Sequence, residues 1–434
     1  PEPTEKDVQE TSLTIGKSYD ADLAKDNTIL YENLGLTYYK YKKYLKDFHN
    51  QDGKEDFHGN RDFYHLVKNA SRSMINRGER DIDSNVLERI AVKSIERNFG
   101  GLNFKNLSND TSLLIIKKIF NGMYPNCVVR GYYDVLERIS ENILDIYSRY
   151  LLVISKSSVS TFLLSSILSK LNKDSSFYIG SQFKNDLQSE EYTLKILNKI
   201  QLLMEQGKVL ILNNLESVYP ALYDLFNQNF TKVSDKNFAR IAIGSSTNAF
   251  SFVHKEFRCI VSVDEDQIEE EEPPFLNRFE KHILSFEYLI KKKENLFETS
   301  LSIYEKINQM ISCDENNLIG INYNLKTMLP NLDKEEILGI IYESSQKEIN
   351  FQDLEEEVFK KISLILPQDI LIIQRFNGFQ SKNDDLSKKM LKEYKTGKHG
   401  NLKTFLESMD NMKNVVYTYS NILNFIENIE SFEN

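Results

Sequence analysis

The feature that most constrains this chain is a set of short apolar runs without polar alternation. Tyr150-Leu-Leu-Val-Ile154, Lys208-Val-Leu-Ile-Leu-Asn-Asn214 and Phe257-Arg-Cys-Ile-Val-Ser-Val263 each suit one strand and are short for a helix. A strand with one wet face alternates apolar and polar residues, so these runs have to be covered on both faces. Amphipathic segments separate them. In residues 193–206, Leu194, Leu197, Ile200 and Met204 recur at three- and four-residue steps, and Gly207 stops that helix just before a strand. Further helices are expected at 137–148, 161–171 and 219–229, with another strand at 238–243. The pattern predicts an α/β section built on a parallel sheet.

The flanks read as helical. Gly59-Asn-Arg-Asp-Phe-Tyr-His-Leu-Val67 opens a helix with Phe63, Leu66 and Val67 on one face. Residues 85–98 carry an apolar stripe that Phe99-Gly-Gly101 ends. After about residue 285, helices are expected at 294–311, 334–345, 353–365 and 400–409. A late strand at 414–419 and a helix at 422–429 follow.

Composition narrows the class. With 434 residues, 41% hydrophobic and 27% charged, the chain has material for roughly two to four globular domains. Its net charge of -10 argues against a nucleic-acid partner, which needs clustered cations. Cys127, Cys259 and Cys313 form no C-x-x-C pair and the histidines are scattered, so no metal site is expected. No apolar run approaches the ~20 residues of a membrane helix. The opening Pro-Glu-Pro-Thr-Glu-Lys is unlike a signal peptide, so a cytoplasmic segment of a longer chain is expected.

The loops after the strands are where nucleotide chemistry would reside. A phosphate-binding loop needs glycines so that bare N–H groups can cradle phosphate, followed by a lysine. Here the first strand leads into Ser-Lys-Ser-Ser-Val-Ser-Thr161, without glycine and with Lys156 too early. The strand 209–212 ends in Asn213 and Asn214, where a hydrolase would place the acids that hold Mg²⁺ and orient water. Arg278, in Pro273-Pro-Phe-Leu-Asn-Arg-Phe-Glu-Lys-His282, either reaches a nucleotide on a neighbouring module or pairs with Glu280 or the acidic run 264–272. Arg61 and Arg97 open the same choice between a phosphate contact from a helical lid and an ordinary helix-surface role.

The order of these motifs resembles an AAA+ core. Arg149-Tyr-Leu-Leu-Val-Ile-Ser-Lys156, Met204-Glu-Gln-Gly-Lys208, Leu212-Asn-Asn-Leu-Glu-Ser-Val-Tyr-Pro-Ala-Leu-Tyr-Asp-Leu-Phe-Asn227 and Leu276-Asn-Arg-Phe-Glu-Lys-His282 are similar to the mysterin-type giant RING E3 ubiquitin ligases, whose motor is a dynein-like chain of AAA+ units. The resemblance implies a P-loop NTPase-like core lacking Walker motifs, flanked by helical lids. Residues 1–125 would be the lid of a preceding unit, 126–290 a degenerate core, 291–410 its own lid, and 411–434 the start of another unit. Arg61 and Arg97 would be lid contacts to the preceding unit's ATP, and Arg278 an arginine finger acting in trans.

The cofactors implied are ATP and Mg in neighbouring units, with zinc only elsewhere in the full protein. The partners implied are adjacent AAA+ units, and a ubiquitin-conjugating enzyme and ubiquitin through other parts of the protein. Cytoplasmic residence with lipid-droplet association follows from the same resemblance. Two other readings stay open: a dynein- or midasin-like mechanical ATPase segment without ligase activity, and an interaction scaffold independent of nucleotide.

Overall fold

The computed structural model describes residues 3–49, 56–78, 82–102, 112–123, 134–181, 183–243, 247–268, 271–311, 333–346 and 350–365. The elements expected at 400–409, 414–419 and 422–429 lie outside the described residues, as do Cys127 and Cys313. Two compact units are present. One comprises Pro1–Ser155, Leu164–Gly180 and Glu190–Leu284; the other comprises Lys156–Leu163, Ser181–Ser189 and Ser285–Asn434.

The first unit opens with helices α1 (Glu5–Tyr19), α2 (Ala21–Asp26), α3 (Thr28–His49), α4 (Asn60–Ile75), α5 (Ser84–Asn98), α6 (Ser112–Asn121) and α7 (Val135–Leu144). Thr4 starts α1 with a reciprocal cap: its hydroxyl accepts from the Asp7 N–H, and the Asp7 carboxylate accepts from the Thr4 N–H. Helix α3 packs on α1 and α6, and α4 packs on α1 and α5. Leu34, Tyr41, Leu66, Ala70, Ile95 and Phe120 are buried between them.

The strands and helices that follow are β1 (Leu151–Ile154), α8 (Val159–Lys170), β2 (Ser175–Ile179), α9 (Lys184–Leu187), α10 (Glu190–Gln206), β3 (Val209–Asn213), a 3₁₀ turn (Tyr219–Leu222), α11 (Tyr223–Phe226), β4 (Thr231–Val233), β5 (Lys236–Ile243), β6 (Thr247–Val253), β7 (Arg258–Val263), α12 (Pro273–Leu276) and β8 (Glu280–Ile283). Five of the strands form a parallel sheet in the order β2-β3-β7-β1-β8, with β1 inside it. Strands β1 and β7 are buried along their whole length, as runs without alternation require. One hydrophobic core continues from the helices into this sheet. The architecture is an AAA-like α/β fold.

The strand expected at 238–243 forms, but outside the parallel sheet. It lies in β5, which pairs antiparallel with β4 and β6 in a separate three-stranded sheet. Its burial explains why: Ala239 and Ile241 are buried while Arg240 is exposed, so only one face needs cover.

In the second unit, α13 (Phe286–Lys291), α14 (Glu294–Ile311), α15 (Lys334–Ser344) and α16 (Phe351–Ile365) bury Phe286, Ile303, Ile307, Ile337, Ile341 and Val358. Asp333 caps α15 by accepting from the Glu336 N–H at 2.8 Å. Among the described residues, no helix is long and apolar enough to cross a membrane.

Candidate functional site

The loop before α4 and the turn before β8 are hydrogen-bonded to each other, and each carries one of the candidate arginines. Gly59 N–H donates to Asp62 Oδ2 at 2.9 Å, starting α4, and also approaches Asn277 Oδ1 at 3.2 Å. Asn277 Nδ2 donates in return to Asp56 O at 3.3 Å. Arg61 follows Gly59 by two residues, is exposed, and donates to Asn227 Oδ1. Arg278 follows Asn277 and sits over Tyr223, with its guanidinium carbon 4.0 Å from the ring centroid. Its Nη1 donates to Pro274 O, while its Nε is buried without a hydrogen-bond partner.

The two arginines, 217 residues apart in sequence (278 − 61), thus share one face of the first unit. Burial lowers the Arg278 pKa, Tyr223 raises it, and the nearby charge of Arg61 lowers it again. Such like charges are tolerated at a surface where an anion can join them. Phe275 supports the turn from beneath, packed among Tyr219, Phe226 and Phe279.

Directly behind Arg61 and Arg278 lies a buried ionic network. Asp62 Oδ1 accepts from Lys281 Nζ and from Arg149 Nη1, each at 2.9 Å. Arg149 also donates to Asn98 Oδ1 at 3.0 Å. Burial pushes the Asp62 carboxyl up, but the Lys281 and Arg149 cations outweigh it and hold the pKa at about 2. Burial brings the Lys281 ammonium down to about 8, with Asp62 opposing. His58 meets Phe57 edge to face and Phe99 at a tilt, and a neutral ring satisfies its neighbours: Nδ1 accepts from Tyr41 Oη and Nε2–H donates to Gly100 O, both at 2.9 Å.

Arg97 is part of this interior rather than of the exposed face. It makes two hydrogen bonds to Glu280, at 3.0 and 2.9 Å, and others to Asp145 and Ser148. Arg258, on β7, is likewise buried, donating to Ser148 O, Asn142 Oδ1 and Arg149 O. Neither Arg149 nor Arg258 stands out as a site residue in the sequence; the only signal is a cation within or beside a buried strand.

At the other end of the nucleotide question, Asn213 closes β3 and its Nδ2 donates to Ser262 O at 3.3 Å. Asn214 follows with φ 54°, a left-handed conformation that asparagine tolerates. In the second unit, the loop Ser157–Ser158 hydrogen-bonds to a carboxylate: Ser157 Oγ and Ser158 N–H donate to Glu336 Oε2, both at 2.8 Å, and Ser158 Oγ donates to Glu336 Oε1 at 2.6 Å.

With this geometry in place, the relatives are informative. Residues 140–290 match the family model described as the RNF213 AAA domain. Human E3 ubiquitin-protein ligase RNF213 is 28% identical over 255 residues, which is 55% of this chain and 4% of that protein. A putative uncharacterized transmembrane protein of Dictyostelium discoideum is 26% identical over 410 residues, 84% of this chain and 7% of that protein. The mouse E3 ubiquitin-protein ligase RNF213 is 25% identical over 332 residues, 72% of this chain and 6% of that protein. The chain therefore spans only 4–7% of these relatives' lengths. It is an RNF213-like segment at modest identity, in line with the family resemblance drawn from its motifs.

Proposed function

We propose that this chain is a non-hydrolysing AAA+ segment of a giant ubiquitin ligase, and that it serves an ATP site on an adjacent unit of the same polypeptide. In this reading residues 1–125 are the lid of the preceding unit, 126–290 a core without its own catalytic acids, 291–410 that core's lid, and 411–434 the entry to the next unit. Arg61 and Arg278 contact the neighbour's ATP, with its Mg²⁺ held there and not here. Arg97 has a structural role instead, because Glu280, Asp145 and Ser148 already engage its guanidinium. Ubiquitin, its conjugating enzyme and any zinc module engage other parts of the protein.

The observation that carries this reading is the convergence of Arg61 and Arg278 on one face, backed by a buried ionic network. Two neighbouring cations suit the charge that builds on a transferred phosphoryl group. Asn213, at the end of β3, donates to the Ser262 carbonyl of β7. Within the second unit, Ser157 and Ser158 donate to Glu336.

A nucleotide-bound structure that includes the preceding unit tests the proposal. It should place the Arg278 guanidinium within hydrogen-bond distance of the γ-phosphate. Both arginines pointing away from the nucleotide would contradict it.

A further inference from the structure

Glu336 sits in the first turn of α15 and is 9% exposed. Its carboxylate takes three donors from the loop ahead of α8: the Ser157 hydroxyl, the Ser158 N–H and the Ser158 hydroxyl. Its neighbour Glu335 does the same for α13, accepting from Ser285 Oγ at 2.8 Å, Phe286 N–H at 2.7 Å and Glu287 N–H at 3.2 Å. The first turn of α15 thus carries two carboxyl groups, each seated on the start of a different helix.

Gly339, one turn further along α15, makes room for this contact. A Cβ there would lie 2.8 Å from Ser157 Oγ and 3.0 Å from Val159 Cβ, so any other residue would force the Ser157 hydroxyl or the loop to shift. The loop concerned is the one that follows β1, where a nucleotide-binding relative of this fold would cradle phosphate. A carboxylate offers the same negative oxygens to the same N–H and O–H donors.

We infer that Glu336 is an autoinhibitory plug: an internal carboxylate that holds the phosphate-facing donors of the post-β1 loop and keeps external phosphate groups out. The absent glycines make the loop a poor phosphate cradle, and Glu336 closes what remains. The inference rests on reading this unit as one that turns over no nucleotide of its own.

Thermal unfolding of the 434-residue chain tests it, with inorganic phosphate compared against sodium chloride of equal ionic strength. The wild-type response to phosphate sets the effect of the salt on the rest of the molecule. Glu336→Ala should unfold at a lower temperature in chloride and gain about 2 °C or more from phosphate beyond the wild-type gain, as an anion takes the vacated donors. If Glu336→Ala does not fold, Glu336→Gln keeps the side-chain volume. In that variant, amide exchange at Ser158 should quicken about tenfold and slow again with phosphate. A residue that is only a helix cap would leave both variants responding to phosphate as the wild type does. That outcome overturns the plug and leaves the non-hydrolysing reading intact. Phosphate slowing amide exchange at Ser158 in the wild type would overturn both, because the loop would then be open.

Discussion

Lys281 Nζ lies 2.9 Å from Asp62 Oδ1, with both side chains withdrawn from solvent and the two residues 219 positions apart in sequence. This pair, extended by Arg149, joins the start of α4 to β8. Arg61 and Arg278 flank it on those same two segments, so the pair positions both.

Removing Asp62 leaves Lys281 and Arg149 as two buried cations without their anion. Asp62→Asn should therefore cost about 3–5 kcal/mol in urea unfolding. Asp62→Asn combined with Lys281→Met should cost clearly less than the sum of the single changes, since the two share one interaction. A single-variant cost below about 1 kcal/mol would show that the network contributes little.

Acid should weaken the fold well before the carboxylates titrate. Burial, then the Lys281 charge, lowers the His58 pKa from 6.5 to about 3. Burial also moves His65 well below 6.5. Below pH 6.5 the unfolded chain takes up these protons and the folded chain does not, so stability falls as pH drops from 6.5 toward 3. Each histidine contributes at most ~1.4 kcal/mol per pH unit. The lowered pKa of Asp62 adds a loss in the same direction, but only below its ordinary value of 3.8. Urea midpoints at pH 5 and 7 check this: the wild-type midpoint should drop, and His58→Gln should flatten the difference.

Gly101 ends the α5 corner with φ 90°, and a Cβ there would lie 2.8 Å from Lys281 Cβ. Gly101→Ala combines backbone strain with overlap against β8, and should destabilise by roughly 2 kcal/mol or more. A neutral effect in thermal unfolding would mean that the corner yields more easily than its packing suggests.

The elements readable from the sequence were those whose burial is local. β3 and β7 announce themselves because both faces are covered, and α10 because Leu197, Ile200 and Met204 all meet the core. β8 did not, since Glu280-Lys281-His282 looks like a solvated turn until its partners Arg97 and Asp62 arrive from far earlier in the chain. The direction of β5 was equally hidden, because an apolar run does not say which strand it will pair with. Arg61 and Arg278 could be named singly from their motifs, but only the tertiary fold puts them side by side. The hold of Glu336 on Ser157 spans 179 residues and has no local signature at all.

Steady-state ATP turnover of the full-length protein, comparing wild type with Arg278→Ala and Arg61→Ala, tests the central claim most directly. Both arginines lie outside the buried network, so each substitution should cost under ~1 kcal/mol of stability and leave the thermal midpoint nearly unchanged. An arginine that stabilises a transferred phosphoryl group is worth roughly 10³–10⁵ in kcat at its site. The account predicts that Arg278→Ala lowers kcat by about tenfold or more with the protein still folded, and that Arg61→Ala lowers it as well. Turnover and ATP affinity unchanged in both variants would contradict it.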